Sequence, residues 1–215
     1  MIIAHLFRTS VGRKYVMAAS GAFLGLFLLL HALGNSTVFF GREAFLGHAG
    51  RLVALGPLLH LYEVMLLAAL LLHAGTGLTL AAENLRARPV RYQVSTAAGG
   101  RTLGSRLMPA SGIVIFLFLV IHLRHFRFAG PPPLLADTVR TLLGSPLQAG
   151  LYLFALAMLF LHISHGFWSS LQTFGINHPA YDGILRRGTG LTALALSAIF
   201  MLILLYGLLT DTFLR

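Results

Sequence analysis

The chain has no cysteine and few charges. Without a thiol, disulfides, thiolate metal sites, iron–sulfur ligation and thiol catalysis are excluded together, so any redox centre must be held by histidine, of which there are ten. Charged residues are 10% of the 215, acids number only six, and 57% of residues are hydrophobic, giving a mean hydropathy of +0.81. Neither an ordinary soluble domain nor a disordered tail has that composition. The net charge of +10 comes from basic residues scattered through short connections, without the clustering or aromatic interleaving of a nucleic-acid surface. No nucleic-acid partner is expected.

Long apolar runs are what the sequence does contain. They occur at about 15–34, 58–82, 107–126, 147–171 and 189–210, each long enough to cross a hydrocarbon core of about 30 Å. The expected fold is all-α, an integral membrane bundle of five transmembrane helices forming a single domain over residues 1–215. With a cytoplasmic N-terminus, ten of the sixteen lysines and arginines fall on the inner side. That distribution favours a multi-pass protein of the cell inner (cytoplasmic) membrane with its N-terminus inside.

A weak repeat runs through these helices. At an offset of about ninety residues "SGAFLGLFLLLH" (20–31) falls on "SGIVIFLFLVIH" (111–122), both Ser-Gly-x9-His, and "HAGTG" (73–77) falls on "HISHG" (162–166), both His-x3-Gly. Helices one and three run outward and two and four run back. At 1.5 Å per residue, His31 and His122 lie roughly 24–26 Å from the inner edge, while His73 and His162 lie only about 9–15 Å from it. Each pair shares one depth on two different helices.

An imidazole in hydrocarbon must find a partner. Zinc ordinarily takes four ligands, or three and a water, so a pair does not suffice for it. Haem iron needs only two axial ligands from the protein. The pattern therefore points to two b-type haems, an outer one on His31 and His122 and an inner one on His73 and His162. Gly77 and Gly166 lie one turn beyond their histidines, where a missing side chain admits a flat macrocycle. Ser20 and Ser111 share a face with the outer histidines about 16 Å nearer the inside, where a hydroxyl can bond a propionate or the edge of the other haem. His125 and His165 are the alternative ligands within their doublets; otherwise His165 is a donor to a propionate or a helix carbonyl. Packing hydrogen bonds are the competing explanation for any one of these histidines.

Glu63, in "HLYEVML", is the carboxylate at the outer start of a membrane helix, and His48 and His60 share that side. A proton-linked reaction there needs such a group, although the helix dipole alone also favours Glu63.

Together "SGAFLGLFLLLHALGNSTVFFG", "LLHAGTGLTLAAENLRARP", "SRLMPASGIVIFLFLVIHLRHF" and "LHISHGFWSSLQTFGI" resemble the membrane-anchor cytochrome b subunits of succinate dehydrogenases and fumarate reductases, in the five-helix, two-haem class of succinate:quinone oxidoreductases. The likeness covers about residues 12–210. It implies axial ligation of two haems b by His31, His73, His122 and His162, and a chain that does not itself bind succinate or fumarate. A flavoprotein subunit and an iron–sulfur subunit would dock on the cytoplasmic face at the basic loops 83–107 and 172–188, and a dimer of such complexes is left open. Electrons would pass between that partner pair and a membrane quinone, menaquinone being usual for two-haem members, in the tricarboxylic acid cycle or in anaerobic respiration. Acids that some members carry in helices four and five are missing here: Phe160 stands two before His162, and helix five has only Asp211 near its end. The alternatives are a dihaem cytochrome b of another quinone-linked enzyme, such as a hydrogenase or formate dehydrogenase, a transporter using the histidines as a relay, and an anchor without haem.

Overall fold

The computed structural model describes residues 9–87, 102–128, 130 and 134–210. His5 and Arg8, the loop arginines Arg88, Arg91 and Arg101, and Asp211 lie outside them. Among the described residues seven α-helices follow one another: α1 (Ser10–Asn35), α2 (Arg42–Val53), α3 (Pro57–Arg86), α4 (Leu103–Phe126), α5 (Leu135–Leu143), α6 (Pro146–Thr173) and α7 (Asp182–Leu209), with a short 3-10 turn Ser36–Phe40 after α1. Among the described residues five helices, α1, α3, α4, α6 and α7, are long and apolar enough to cross a membrane. The chain thus has the character of a multi-pass membrane protein. Below, "inner" is the end of the bundle at which α1 starts.

Local chemistry sets the helix limits. Thr9 and Thr102, both with extended backbone, accept bonds from the Gly12 and Ser105 amides and so cap α1 and α4. Pro57 and Pro146 start α3 and α6 at positions whose amide would have no helical partner. Gly56 reverses the chain between α2 and α3 at φ +55°, a conformation that favours glycine. At the inner side several helices reach a turn or more beyond the apolar runs, starting at Ser10 and Leu103, where the threonine caps stand, and at Asp182, and ending at Arg86.

Four helices form a ring in which α1 packs on α3 and α6, and α4 packs on α6, while α3 meets α4 sparsely; α7 lies outside the ring against α6 and α1. Consequently α1 faces α4, and α3 faces α6, across the two diagonals. Small residues let the backbones approach: Ala32 and Ala193 are fully buried where α1, α6 and α7 meet around Ile163 and Leu196. The outward surface is the reverse of a soluble protein's. Leu26, Leu30, Val64, Leu117, Leu147 and Leu202 are each more than half exposed, which fits a hydrocarbon solvent.

Two short helices not anticipated from the sequence, α2 and α5, cover the outer end. Phe45 of α2 and Ala136, Val139 and Leu143 of α5 join Val38, Ala149 and Leu204 in one apolar cluster. Arg42 donates to both oxygens of Asp137, at 2.9 and 3.0 Å, and so latches α2 to α5. Two further ion pairs tie neighbouring helices, Arg13 with Glu83 at the inner ends of α1 and α3, and Arg127 with Glu63 at the outer ends of α4 and α3.

The Arg42 guanidinium holds the Asp137 carboxyl below the usual carboxylate range by hydrogen bonding and charge. A depressed carboxylate contributes stability above its ordinary pKa and loses it as the pH falls through the depressed value. Asp137→Asn should therefore speed amide hydrogen exchange in α5 at neutral pH, and the native chain should match it only once the pH has fallen through the depressed Asp137 value. Equal exchange in the two proteins at pH 7 would show that the latch contributes nothing.

Candidate functional site

The two diagonals of the ring each carry a histidine pair. The rings of His31 on α1 and His122 on α4 have centroids 5.8 Å apart and lie edge to face at 83°. Those of His73 on α3 and His162 on α6 are 6.1 Å apart at 72°. A metal ion bound by two imidazole nitrogens, each about 2 Å away, sets ring centres about 6 Å apart. The residues therefore fit a two-imidazole metal site at each level. Among the described residues no cluster of three or more metal-ligating side chains occurs, so any further coordination has to come from the group bound there, as a porphyrin provides.

The inner pair is held by the neighbouring helices through a motif used twice. His73 Nδ1 lies 3.0 Å from the Met17 carbonyl of α1 and 3.4 Å from Ser20 Oγ. His162 Nδ1 lies 3.2 Å from Ser111 Oγ of α4. Both hydroxyls already donate to helix carbonyls, Ser20 to Val16 at 2.7 Å and Ser111 to Met108 at 3.2 Å, and are left to accept. The network thus assigns the ring proton to Nδ1 and leaves the Nε2 lone pair for a metal. Histidine ligands are commonly oriented in this way by a second partner. Glycine completes each clamp, because a Cβ on Gly21 would stand 2.9 Å from His73 Cε1, and one on Gly112 would stand 3.3 Å from His162 Cε1.

The outer pair is set in aromatic rings. His31 lies 5.3 Å from Phe27 and 5.7 Å from Phe200, and His122 lies 5.0 Å from Phe126 and 5.6 Å from Phe118. Asn35 Nδ2 stands 3.3 Å from His31 Nδ1 while donating to the His31 carbonyl at 2.8 Å. His122 Nδ1 is buried with no partner among the described residues, a polar atom that calls for a ligand or water. From Gly21, against which the His73 ring lies, to His31, and from Gly112, against which the His162 ring lies, to His122, the rise along the helix is about 15 Å, which is the separation of the two levels.

The other sequence candidates are dispersed. Ser20 and Ser111 face the inner imidazoles. Gly77 lies near Met17, a Cβ there standing 3.9 Å from its Sδ, and Gly166 faces open space. His165 packs beside Gly104. His125 bonds the Tyr152 hydroxyl through Nδ1 at 3.1 Å, and His48 lies against Gly34. Both oxygens of Glu63 are taken by Arg127, at 2.7 and 3.0 Å, and His60 Nδ1 is 3.1 Å from the Gly56 carbonyl. Sequence reasoning missed Gly21, Gly112, Met17 and Met108. The signal was available, since "MAASG" (17–21) and "MPASG" (108–112) extend the repeat by one turn.

Crowding at these glycines gives a graded test. Gly21→Ala should lower the thermal unfolding midpoint in detergent by the equivalent of about 1–3 kcal/mol of overpacking, and Gly112→Ala by less. Gly166→Ala should be neutral or gain up to about 1 kcal/mol of helix propensity. A Gly21 variant as stable as the Gly166 variant would show that the clamp is loose. The chain matches no family model, no curated protein and no solved structure.

Proposed function

We propose that this chain is the dihaem cytochrome b membrane anchor of a succinate dehydrogenase or fumarate reductase complex. In this reading His73 and His162 hold the inner haem b, and His31 and His122 the outer. The observation that supports it most directly is the pair of diagonal imidazole couples, each about 6 Å between centroids, with the inner rings' Nδ1 atoms tied to partners on the adjoining helices. When bound, such haems supply one-electron carriers whose potentials are set by axial ligands, burial and nearby charge.

The protein's own residues then hold and tune. Met17, Ser20 and Ser111 fix the tautomer of the inner imidazoles, and Gly21 and Gly112 give those rings their space. The aromatic shell of the outer pair excludes water. Arg13, Lys14 and Arg106 put positive charge at the inner end, which in this reading is the face for a flavoprotein and an iron–sulfur partner. A membrane quinone, menaquinone in this reading, reacts at the outer end, where Glu63 is the carboxylate available to pass protons once its bond to Arg127 opens. The chain itself binds no dicarboxylate.

The purified chain should contain two haems b and show two separable midpoints in a redox titration. Replacing His73 or His162 by Ala should remove the inner haem alone, and replacing His31 or His122 the outer alone. Colourless protein from an active complex, or retention of both haems in all four variants, would refute the assignment.

A further inference from the structure

We infer that the cleft between the last turn of α4 and helix α5, at the outer end, binds the headgroup of a phosphatidylethanolamine whose acyl chain runs down the outward face of α4. The inference needs only the membrane character of the chain and is independent of the haem reading. The cleft holds about 450 Å³, within the usual range for small-molecule sites, which combine an apolar lining with a few convergent polar groups. Leu134 and Leu142 form its apolar walls, and Arg124, His125, Asp137 and Thr141 supply its polar groups.

Opposite charges line this cleft without pairing with each other. The Arg124 guanidinium and the Thr141 hydroxyl form no hydrogen bond or ion pair among the described residues, so both keep donors for a phosphate oxygen. With the Tyr152 hydroxyl donating to His125 Nδ1 at 3.1 Å, the ring proton of His125 stands on Nε2 as a third donor. Asp137 accepts from Arg42 at both oxygens, yet a carboxylate has about four lone-pair sites and so has room for a further donor. A ligand that satisfies both walls carries a phosphate and a cation on one short headgroup. An ammonium with N–H bonds suits Asp137 better than a choline does. Quaternary ammonium groups are held by aromatic faces, and no phenylalanine, tyrosine or tryptophan lines the cleft among the described residues. The carboxylate also disfavours a headgroup with negative charge alone, such as phosphatidylglycerol.

The surface below the cleft suits an acyl chain. Ile113, Leu117, Val120 and Arg124 follow one another on α4 at helical spacing, so they share one stripe. The three apolar residues of that stripe are 48%, 59% and 59% exposed. Ile113 and Arg124 are about 16 Å apart along the axis, close to half of a hydrocarbon core of about 30 Å. The stripe is therefore one leaflet deep, and it ends at the cation that faces the phosphate.

The test uses the full chain in mild detergent, stripped of endogenous lipid and titrated with single phospholipids in native mass spectrometry. One phosphatidylethanolamine per chain is expected to be held about tenfold more tightly than phosphatidylcholine or phosphatidylglycerol. A phosphatidylethanolamine with a diazirine on its acyl chain should label peptides at 113–124. Retention should fall about tenfold in an Arg124→Gln, Thr141→Val double variant with unchanged circular dichroism. Equal retention of phosphatidylcholine would show that the ammonium is not read and would overturn the proposal. So would tighter binding of phosphatidylglycerol, displacement by inorganic phosphate, label confined to other helices, or retention indifferent to the double variant.

Discussion

A buried imidazole has two nitrogens, and in hydrocarbon both need partners. The inner level of this bundle meets that constraint by giving one nitrogen of each ring to the adjoining helix, His73 to Met17 and His162 to Ser111. The second nitrogen is then left without such a bond, on a ring whose centroid lies 6.1 Å from that of the opposite histidine. Much of the surrounding structure follows from that arrangement. The close α1 to α3 and α4 to α6 contacts are where the bonds are made, glycine stands at 21 and 112 because the rings come so near the backbone, and the ring pairs must lie across the diagonals.

The outer level uses a different device. Phenylalanine and tyrosine rings surround His31 and His122 in place of carbonyls and hydroxyls, and α2 and α5 close over that end through an apolar cluster and one bidentate ion pair. A site closed by short helices and an exposed salt bridge opens at lower free energy than one buried between long helices. The surroundings of the two levels thus differ although the sequence repeat runs through both.

The five membrane helices, the pairing of the histidines by depth and the Ser-Gly-x9-His motif were all legible in the sequence, because hydropathy and a 1.5 Å rise are properties of single helices. The spacing put Ser20 and Ser111 on the face of the outer histidines, nearer the inside. Their partner was not legible, since a helical projection shows which side a hydroxyl occupies but not which neighbour stands there; Ser20 meets a histidine of α3. The glycines show the same limit. Gly77 and Gly166 were chosen for their spacing from a histidine on their own helix, whereas the contact that requires a missing side chain comes across a helix interface, at Gly21 and Gly112.

The sequence by itself determined that the chain is helical, that it has five spans suited to hydrocarbon, and that its intramembrane histidines fall at two depths, because each of these depends only on local composition and period. Only the tertiary structure decided which nitrogen of each inner imidazole is engaged, that Glu63 is closed by Arg127, and that α2 and α5 cap one end. Those features arise where two helices meet, and the angle and distance of approach are set by the packing of the whole bundle.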